Sequence, residues 1–421
     1  MDKLLIKGGK QLKGEVSISG AKNAALPLMA ATILCKGKSV IKNVPKLRDV
    51  NTMAEVLKTL GAVVEYNNGI LNIDTTVLTE AVAPYELVKT MRASVLTLGP
   101  MVARFGHAKV SMPGGCAIGA RPINLHLSAL EKMGADITLD GGYVIVDCCK
   151  VLTGAHILFE TVTVTGTENI MMAAVFAEGK TILENAALEP EVVDLANALN
   201  SMGAQITGAG TSTIEITGVD ELKPLDSHSI IPDRIETGTF MAISAITQGN
   251  VLIKRTRVDH IMAIIEKFRQ TGVIIEEEPD GIRVIGPEKL TSSNVKTNPF
   301  PSFPTDMQAQ FMAMMAVSNG TSIIQETIFE NRYMHVAELL RMGAKIEIVD
   351  TIANVHGVKQ LKGAPVMATD LRASASLVVA ALVAEGETII DRIYHLDRGY
   401  ERIEEKIAAL GGDVKRIKYK K

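Results

Sequence analysis

The stretch richest in chemical possibility is residues 113–121, PGGCAIGAR, which sets one cysteine among three glycines and ends on an arginine. Glycine loses more backbone entropy on folding than any other residue, so Gly114, Gly115 and Gly119 predict a tight surface turn rather than packing. Unreactive cysteines are normally among the most buried residues; Cys116 at the tip of such a turn therefore reads as a thiol placed for chemistry. Cations and glycine amides beside it would lower its pKa, equipping it as an acid or as a nucleophile. The spacing Gly114-x-x-x-x-Gly119 half-matches a P-loop, but Ala120-Arg121 stand where a lysine and a hydroxyl are required, which excludes that class of nucleoside triphosphatase.

A second chemical signature recurs through the chain. Fourteen residues before Gly37, Gly106, Gly179, Gly249, Gly320 and Gly386 lie Asn23, Arg92, Thr165, Ile235, Asp306 and Arg372, each at the start of an apolar helical pattern. A helix N-terminus attracts anions through its unpaired N–H groups and its dipole. Arg92, Arg372 and the neighbouring Lys22 oppose that dipole and call for an anion. Asn, Thr and Asp are favoured N-caps, so capping competes with function at Asn23, Thr165 and Asp306. Asp306, after the stiff segment Pro299-Phe300-Pro301-Ser302-Phe303-Pro304-Thr305, is placed to act as a base toward a hydroxyl. If the helix starts of two domains face each other, Lys22, Arg92, Arg121 and Arg372 form a cationic cleft suited to phosphate or carboxylate groups, and Arg398 adds a further cation.

The elements that must hold these residues repeat six times. Glycines closing a helical pattern, Gly61, Gly134, Gly203, Gly272, Gly343 and Gly411, are 73, 69, 69, 71 and 68 residues apart. Each unit reads as helix, glycine cap, strand, loop, second helix, glycine cap and β-hairpin. The expected fold class is α/β (α+β): two similar domains, each of three repeats of about 70 residues. The boundaries expected are 21–229 for the domain with the cysteine loop, and 1–20 with 230–421 for the other. In this reading the N-terminal strand completes the sixth unit, since Lys10-Gln11-Leu12-Lys13-Gly14 recurs as Lys359-Gln360-Leu361-Lys362-Gly363. The second unit has 28 residues between its glycines where the others have 23 to 25, and the surplus is the cysteine loop.

Composition narrows the partners. A net charge of −3 gives no general attraction to nucleic acid, so small molecules are the expected ligands. The four cysteines, Cys35, Cys116, Cys148 and Cys149, lack metal-site spacing and predict free thiols in the cytoplasm. The longest apolar run, residues 373–384, is too short to span a bilayer, and the N-terminus has no apolar targeting core. The 8 histidines form no ligand motif. Neither metal nor cofactor is expected.

The chain resembles the enolpyruvyl transferases, in particular the branch acting on UDP-N-acetylglucosamine. The resemblance runs through SGAKNAALPLMAA from Ser19, MRASVLTLGP from Met91, PGGCAIGARPINLHL from Pro113, GTENIMMAA from Gly166, EPEVVDLANAL from Glu189, PDRIETGTFM from Pro232, PTDMQAQFMA from Pro304, ENRYMHVAEL from Glu330, TDLRASASLV from Thr369 and LDRGYERIEEKI from Leu396. It implies two inside-out α/β barrels. The implied reaction transfers the enolpyruvyl group of phosphoenolpyruvate to the 3-hydroxyl of UDP-N-acetylglucosamine with release of phosphate, the first committed step of peptidoglycan biosynthesis. Lys22, Arg121 and Arg398 would hold phosphoenolpyruvate, with Arg92 and Arg372 nearby. Asn23 and Asp306 would contact the sugar hydroxyl, Asp306 as its base. Cys116 would protonate the enol carbon or form a covalent adduct, and an epoxide such as fosfomycin would alkylate it. Arg121, Pro122, Ile123, Asn124 and Leu125, with Thr161, Val162, Thr163, Val164 and Ile328, would line the nucleotide-sugar site. Asn124 departs from the aspartate of many relatives and offers donors as well as acceptors. Alternatives are the shikimate-pathway enolpyruvyl transferase, which lacks this cysteine loop, and a silent nucleotide-sugar-binding paralogue.

Overall fold

The computed structural model describes residues 2–79, 81–83, 85–88, 91–112, 123–148 and 151–418. Among them, one compact unit takes in the chain up to Ser19 and again from Pro232, and the other the chain from Gly20 to Ile231. Each has its own apolar core.

Among the described residues, six four-stranded sheets share one order: a parallel edge strand, the strand that follows a helix, then the second and first arms of a hairpin. Val295–Lys296, Thr321–Gln325, Ile352–His356 and Lys345–Val349 form one of them, with the hairpin arms antiparallel. In the sixth sheet Lys3–Lys7 takes the second-arm position, antiparallel to both Glu387–Asp391 and Asp413–Ile417. Two entry strands are exchanged: Lys13–Ser17 pairs with Asn250–Lys254, and His228–Ser229 with Lys38–Lys42.

All six glycines that close the second helix of a repeat have φ between 89° and 111°. A side chain is strained in that left-handed region, so the recurring glycine is a requirement of the turn from helix into hairpin. At one first-helix end the conformation falls instead on Gln248, at φ 53°.

The helices lie inside and the sheets outside. Every residue of Gln308–Met315 is buried, as are the residues from Ile235 to Ile246 and from Arg372 to Ala381. A helix apolar on all sides belongs in a core, and each buried Met, Leu or Phe contributes about 1.5–3 kcal/mol. These three helices pack on one another, while strands such as Thr321–Gln325 alternate between buried and outward positions. Polar side chains on such helices, Thr239, Gln310 and Arg372 among them, sit where each needs a protein partner.

Candidate active site

Asp306 lies in the 3₁₀ turn Thr305–Met307 that leads into the Gln308–Met315 helix. Its carboxylate is a quarter exposed and is held by two arginines that are themselves 6% and 4% exposed. Arg332 Nη2 donates to Oδ1 at 2.7 Å. Arg372 donates to Oδ2 from Nε at 2.9 Å and lies 2.8 Å from it through Nη2. Burial alone would raise the Asp306 carboxyl, but Arg372 and Arg332 more than reverse this and hold it well below the usual carboxylate range. Burial likewise works against the Arg372 charge, and Asp306 overrides it and raises the guanidinium pKa.

A chain of hydrogen bonds supports the pair from either side. Arg332 Nη1 donates to Thr305 Oγ1 at 2.8 Å, and Thr305 Oγ1 in turn donates to Glu326 Oε2 at 2.8 Å. The 1%-exposed Glu326 also accepts through Oε1 from Thr297 Oγ1 and from the Ile328 and Phe329 N–H groups, which fixes the turn bearing Ile328. On the opposite side Arg372 Nη1 donates to the Tyr400 hydroxyl at 3.3 Å. Tyr400 follows, by two residues, the half-buried Arg398 at the end of the turn Leu396–Arg398.

In the other unit, Lys22 and Asn23 open the helix Lys22–Ala31. The Lys22 ammonium lies 3.3 Å from Asp49 Oδ2, with the two side chains 12% and 4% exposed. Asn23 is exposed, and Pro27 has no N–H to offer the Asn23 carbonyl four residues before it. Asn124 and Leu125 start the helix Asn124–Lys132, next to the buried Ile123. Thr161 is exposed and Val162 half-buried ahead of the Val164–Ala174 helix, which Thr163 caps by accepting from the Gly166 N–H at 3.2 Å. A side chain at Gly166 would run into Thr163 Cγ2 at 2.3 Å. His126 ties these two helices together. Its Nδ1 accepts from Asn169 Nδ2 at 2.9 Å, so its Nε2 carries the proton that faces Thr165 Oγ1 at 3.4 Å.

The structure thus joins Asp306 to Arg372, and through His126 it joins the segments bearing Asn124, Leu125, Thr163 and Val164. Cys116, Arg121 and Pro122 lie outside the described residues, as does the side chain of Arg92. None of Asn23, Thr165 or Asp306 caps its helix. Capping falls two residues before the repeat position, on Thr163, Asp233 and Asp370. The anion that Arg372 demands is supplied internally by Asp306, and Lys22 has Asp49. Arg332, Glu326, Tyr400, Asp49 and His126 carry no chemical signature in the sequence that singles them out.

The profile of the family described as EPSP synthase (3-phosphoshikimate 1-carboxyvinyltransferase) matches residues 6–407. Proteins called UDP-N-acetylglucosamine 1-carboxyvinyltransferase from Thermodesulfovibrio yellowstonii and Geobacter metallireducens are 62% and 60% identical over 418 residues, covering 99% of this chain and 100% of each relative. Among solved structures, the enolpyruvyl transferase NikO from Streptomyces tendae superposes with a TM-score of 0.89 at 24% identity, covering 99% of this chain and 98% of that one. EPSP synthase from Acinetobacter baumannii gives 0.76 at 17%, over 99% and 100%. At these identities the structures speak for the fold alone.

Proposed function

Because the chain belongs to the EPSP synthase family of enolpyruvyl transferases, we propose that it moves the enolpyruvyl group of phosphoenolpyruvate to the 3-hydroxyl of UDP-N-acetylglucosamine, releasing phosphate. The observation that carries the choice of acceptor is the 62% identity over the full length to a relative named for that nucleotide sugar. This is the first committed step of peptidoglycan biosynthesis. Two of the cysteines, Cys35 and Cys148, are free thiols, which fits a reducing compartment, and among the described residues no helix is long and apolar enough to cross a membrane. We place the enzyme in the cytoplasm with small-molecule substrates.

Net transfer with loss of phosphate requires addition followed by elimination. The sugar oxygen bonds to C2 of phosphoenolpyruvate while its proton leaves to a base and C3 gains a proton from an acid. The C2–O bond to phosphate then breaks, and C3 gives up a proton as the double bond returns. Asp306 is the base and Cys116 the acid in this reading. Lys22, Arg121 and Arg398 hold the carboxylate and phosphate of phosphoenolpyruvate, with Arg92 and Arg372 in the surroundings. Asn23 contacts the sugar hydroxyl, and Ile123, Asn124, Leu125, Thr161, Val162, Thr163, Val164 and Ile328, with Arg121 and Pro122, line the nucleotide sugar. What supports Asp306 is that it presents an accessible carboxylate on a rigid base of buried cations. Paired twice, that carboxylate is a weak base. An anion that takes hydrogen bonds from Arg332 or Arg372 would raise its basicity.

The test is phosphate release from phosphoenolpyruvate by the purified protein with either acceptor. Release with UDP-N-acetylglucosamine alone is expected. Release only with shikimate 3-phosphate would transfer the protein to the other branch, and release with neither would favour a silent binding protein. Cys116→Ala is expected to abolish turnover near neutral pH while nucleotide-sugar binding stays within a few fold; undiminished turnover rules out the acid role.

A further inference from the structure

We infer that Tyr400 is a positioning residue for this reaction: its hydroxyl orients the Arg372 guanidinium against Asp306 and fastens the segment carrying Arg398 to the three central helices. The inference rests on the functional reading above for the roles of Asp306, Arg372 and Arg398.

The direction of every proton around Tyr400 follows from its neighbours. Thr239 Oγ1 donates to the Ile235 carbonyl at 2.8 Å, so it accepts from Tyr400 across their 2.8 Å contact. Arginine has only donors, so Arg372 Nη1 gives its proton to the Tyr400 oxygen at 3.3 Å. The Gln310 amide nitrogen supplies a third bond to the same oxygen at 3.3 Å and also reaches Thr239 Oγ1 at 3.1 Å. Thr239, Gln310 and Arg372 come from the helices Arg234–Ile246, Gln308–Met315 and Leu371–Ala381, one from each repeat of this unit. A single phenol oxygen therefore joins all three helices.

Packing alone does not explain a tyrosine here. At 2% exposure a phenylalanine ring would fill the same volume. The hydroxyl matters because Arg372 is buried and spends Nε and Nη2 on Asp306, leaving Nη1 to the Tyr400 oxygen. The ring also faces the guanidinium, 5.6 Å from its centroid. Without the hydroxyl, a charged N–H loses its acceptor in a dry site. Relief comes only by turning the guanidinium away from Asp306 or admitting water. The backbone between Arg398 and Tyr400 is fixed by a second contact. A Cβ at Gly399 would meet the Leu371 side chain at 2.6 Å, so Gly399 lies directly against the residue before Arg372.

Tyr400→Phe in the full chain tests this. The kcat should fall about tenfold or more, as expected when a reacting group loses its alignment, while the KM for UDP-N-acetylglucosamine stays within about twofold of wild type. A merely structural role would lower the melting temperature and leave kcat per folded molecule alone, and that outcome overturns the inference. If the variant does not fold, ¹⁵N-arginine NMR of the wild type decides. Hindered rotation about the Cζ–Nη1 bond, the one facing Tyr400, is expected for Arg372, identified by its loss in Arg372→Lys, and free rotation of that group beside a held Nη2 overturns the inference. A wild type that releases no phosphate overturns the functional reading instead, and the NMR result then tests the geometry by itself.

Discussion

Arg372 directs two of its nitrogens, Nε and Nη2, at the same oxygen of Asp306, 2.9 and 2.8 Å away, and is itself 4% exposed. The cation is buried and the anion is accessible. Asp306→Asn keeps the shape but leaves two buried guanidiniums without their countercharge. A loss of about 3–5 kcal/mol is expected near neutral pH, together with a fall in turnover of roughly 10²–10⁴. The pH dependence has a definite sign. The folded carboxyl titrates below its unfolded value of about 3.9, so its contribution is present above that value and lost as pH falls through the folded one. Thermal melts should show a gap between wild type and Asp306→Asn that is level from pH 7 to about 5 and narrows below about 4. A gap that stays constant down to pH 2 would contradict the ion pair.

The repeat was legible because it has a local cause. Glycines at φ near 90° after each second helix leave a mark in the sequence wherever the chain turns into a hairpin, and six marks disclosed six sheets. The helix starts followed from the same spacing. Partners were harder to see. Asp306 and Arg332 are 26 residues apart and share no repeat position, and although Asp306 and Arg372, 66 apart, hold the same position in successive repeats, that spacing does not say that their side chains pair. An arginine at a helix start such as Arg372 signals the need for an anion, yet a sequence cannot say whether a ligand or the protein supplies it. Tyr400 was invisible for another reason: a buried tyrosine and a buried phenylalanine obey the same hydrophobic pattern. Only the converging donors distinguish them.

Glu236 gives a second electrostatic test. Its side chain is 1% exposed, with Oε1 2.6 Å from Lys406 Nζ and Oε2 accepting from the Ser19 N–H at 2.7 Å. Burial pushes the carboxyl up in spite of Lys406. Lys406→Met strands that carboxylate and should cost about 3–5 kcal/mol at pH 8. A carboxyl whose folded pKa is raised is most favourable below its unfolded value of about 4.3 and loses stability as pH rises toward the folded value. The penalty should therefore be small near pH 4.5 and grow toward pH 8. The double variant Glu236→Gln/Lys406→Met should recover most of the loss, and a double variant as unstable as the single one would show that the two side chains are not coupled.

Asp49 offers a kinetic test of the Lys22 assignment. A lysine ammonium on four flexible carbons is positioned only by its partners, and Asp49 Oδ2 lies 3.3 Å from it. In Asp49→Asn the side chain keeps its volume but loses its charge. The KM for phosphoenolpyruvate should rise about tenfold, the cost of ordering one long side chain on binding, with the KM for the nucleotide sugar little changed. Equal effects on both substrates would point to a general loosening of the domain.

His335 adds a histidine whose effect on stability runs over mildly acidic pH. It is 1% exposed, and among the described residues its Nε2 has no hydrogen-bond partner. Burial pushes it down to about 4; the charge of Arg332 acts in the same direction, and Asp370 opposes them. The unfolded imidazole takes up its proton near pH 6.5 and the folded one only near 4. Between those values the unfolded chain binds more protons, so stability declines as pH falls through the window. His335→Gln removes that slope. Wild type should lose on the order of 3 kcal/mol more than the variant between pH 7.5 and 4, which melting curves of the two proteins across that range would reveal. Down to about pH 4 the folded imidazole stays neutral, so the loss falls on stability and leaves the Asp306 pair of the folded enzyme undisturbed. Parallel stability curves for the two proteins would contradict a buried imidazole that resists its proton.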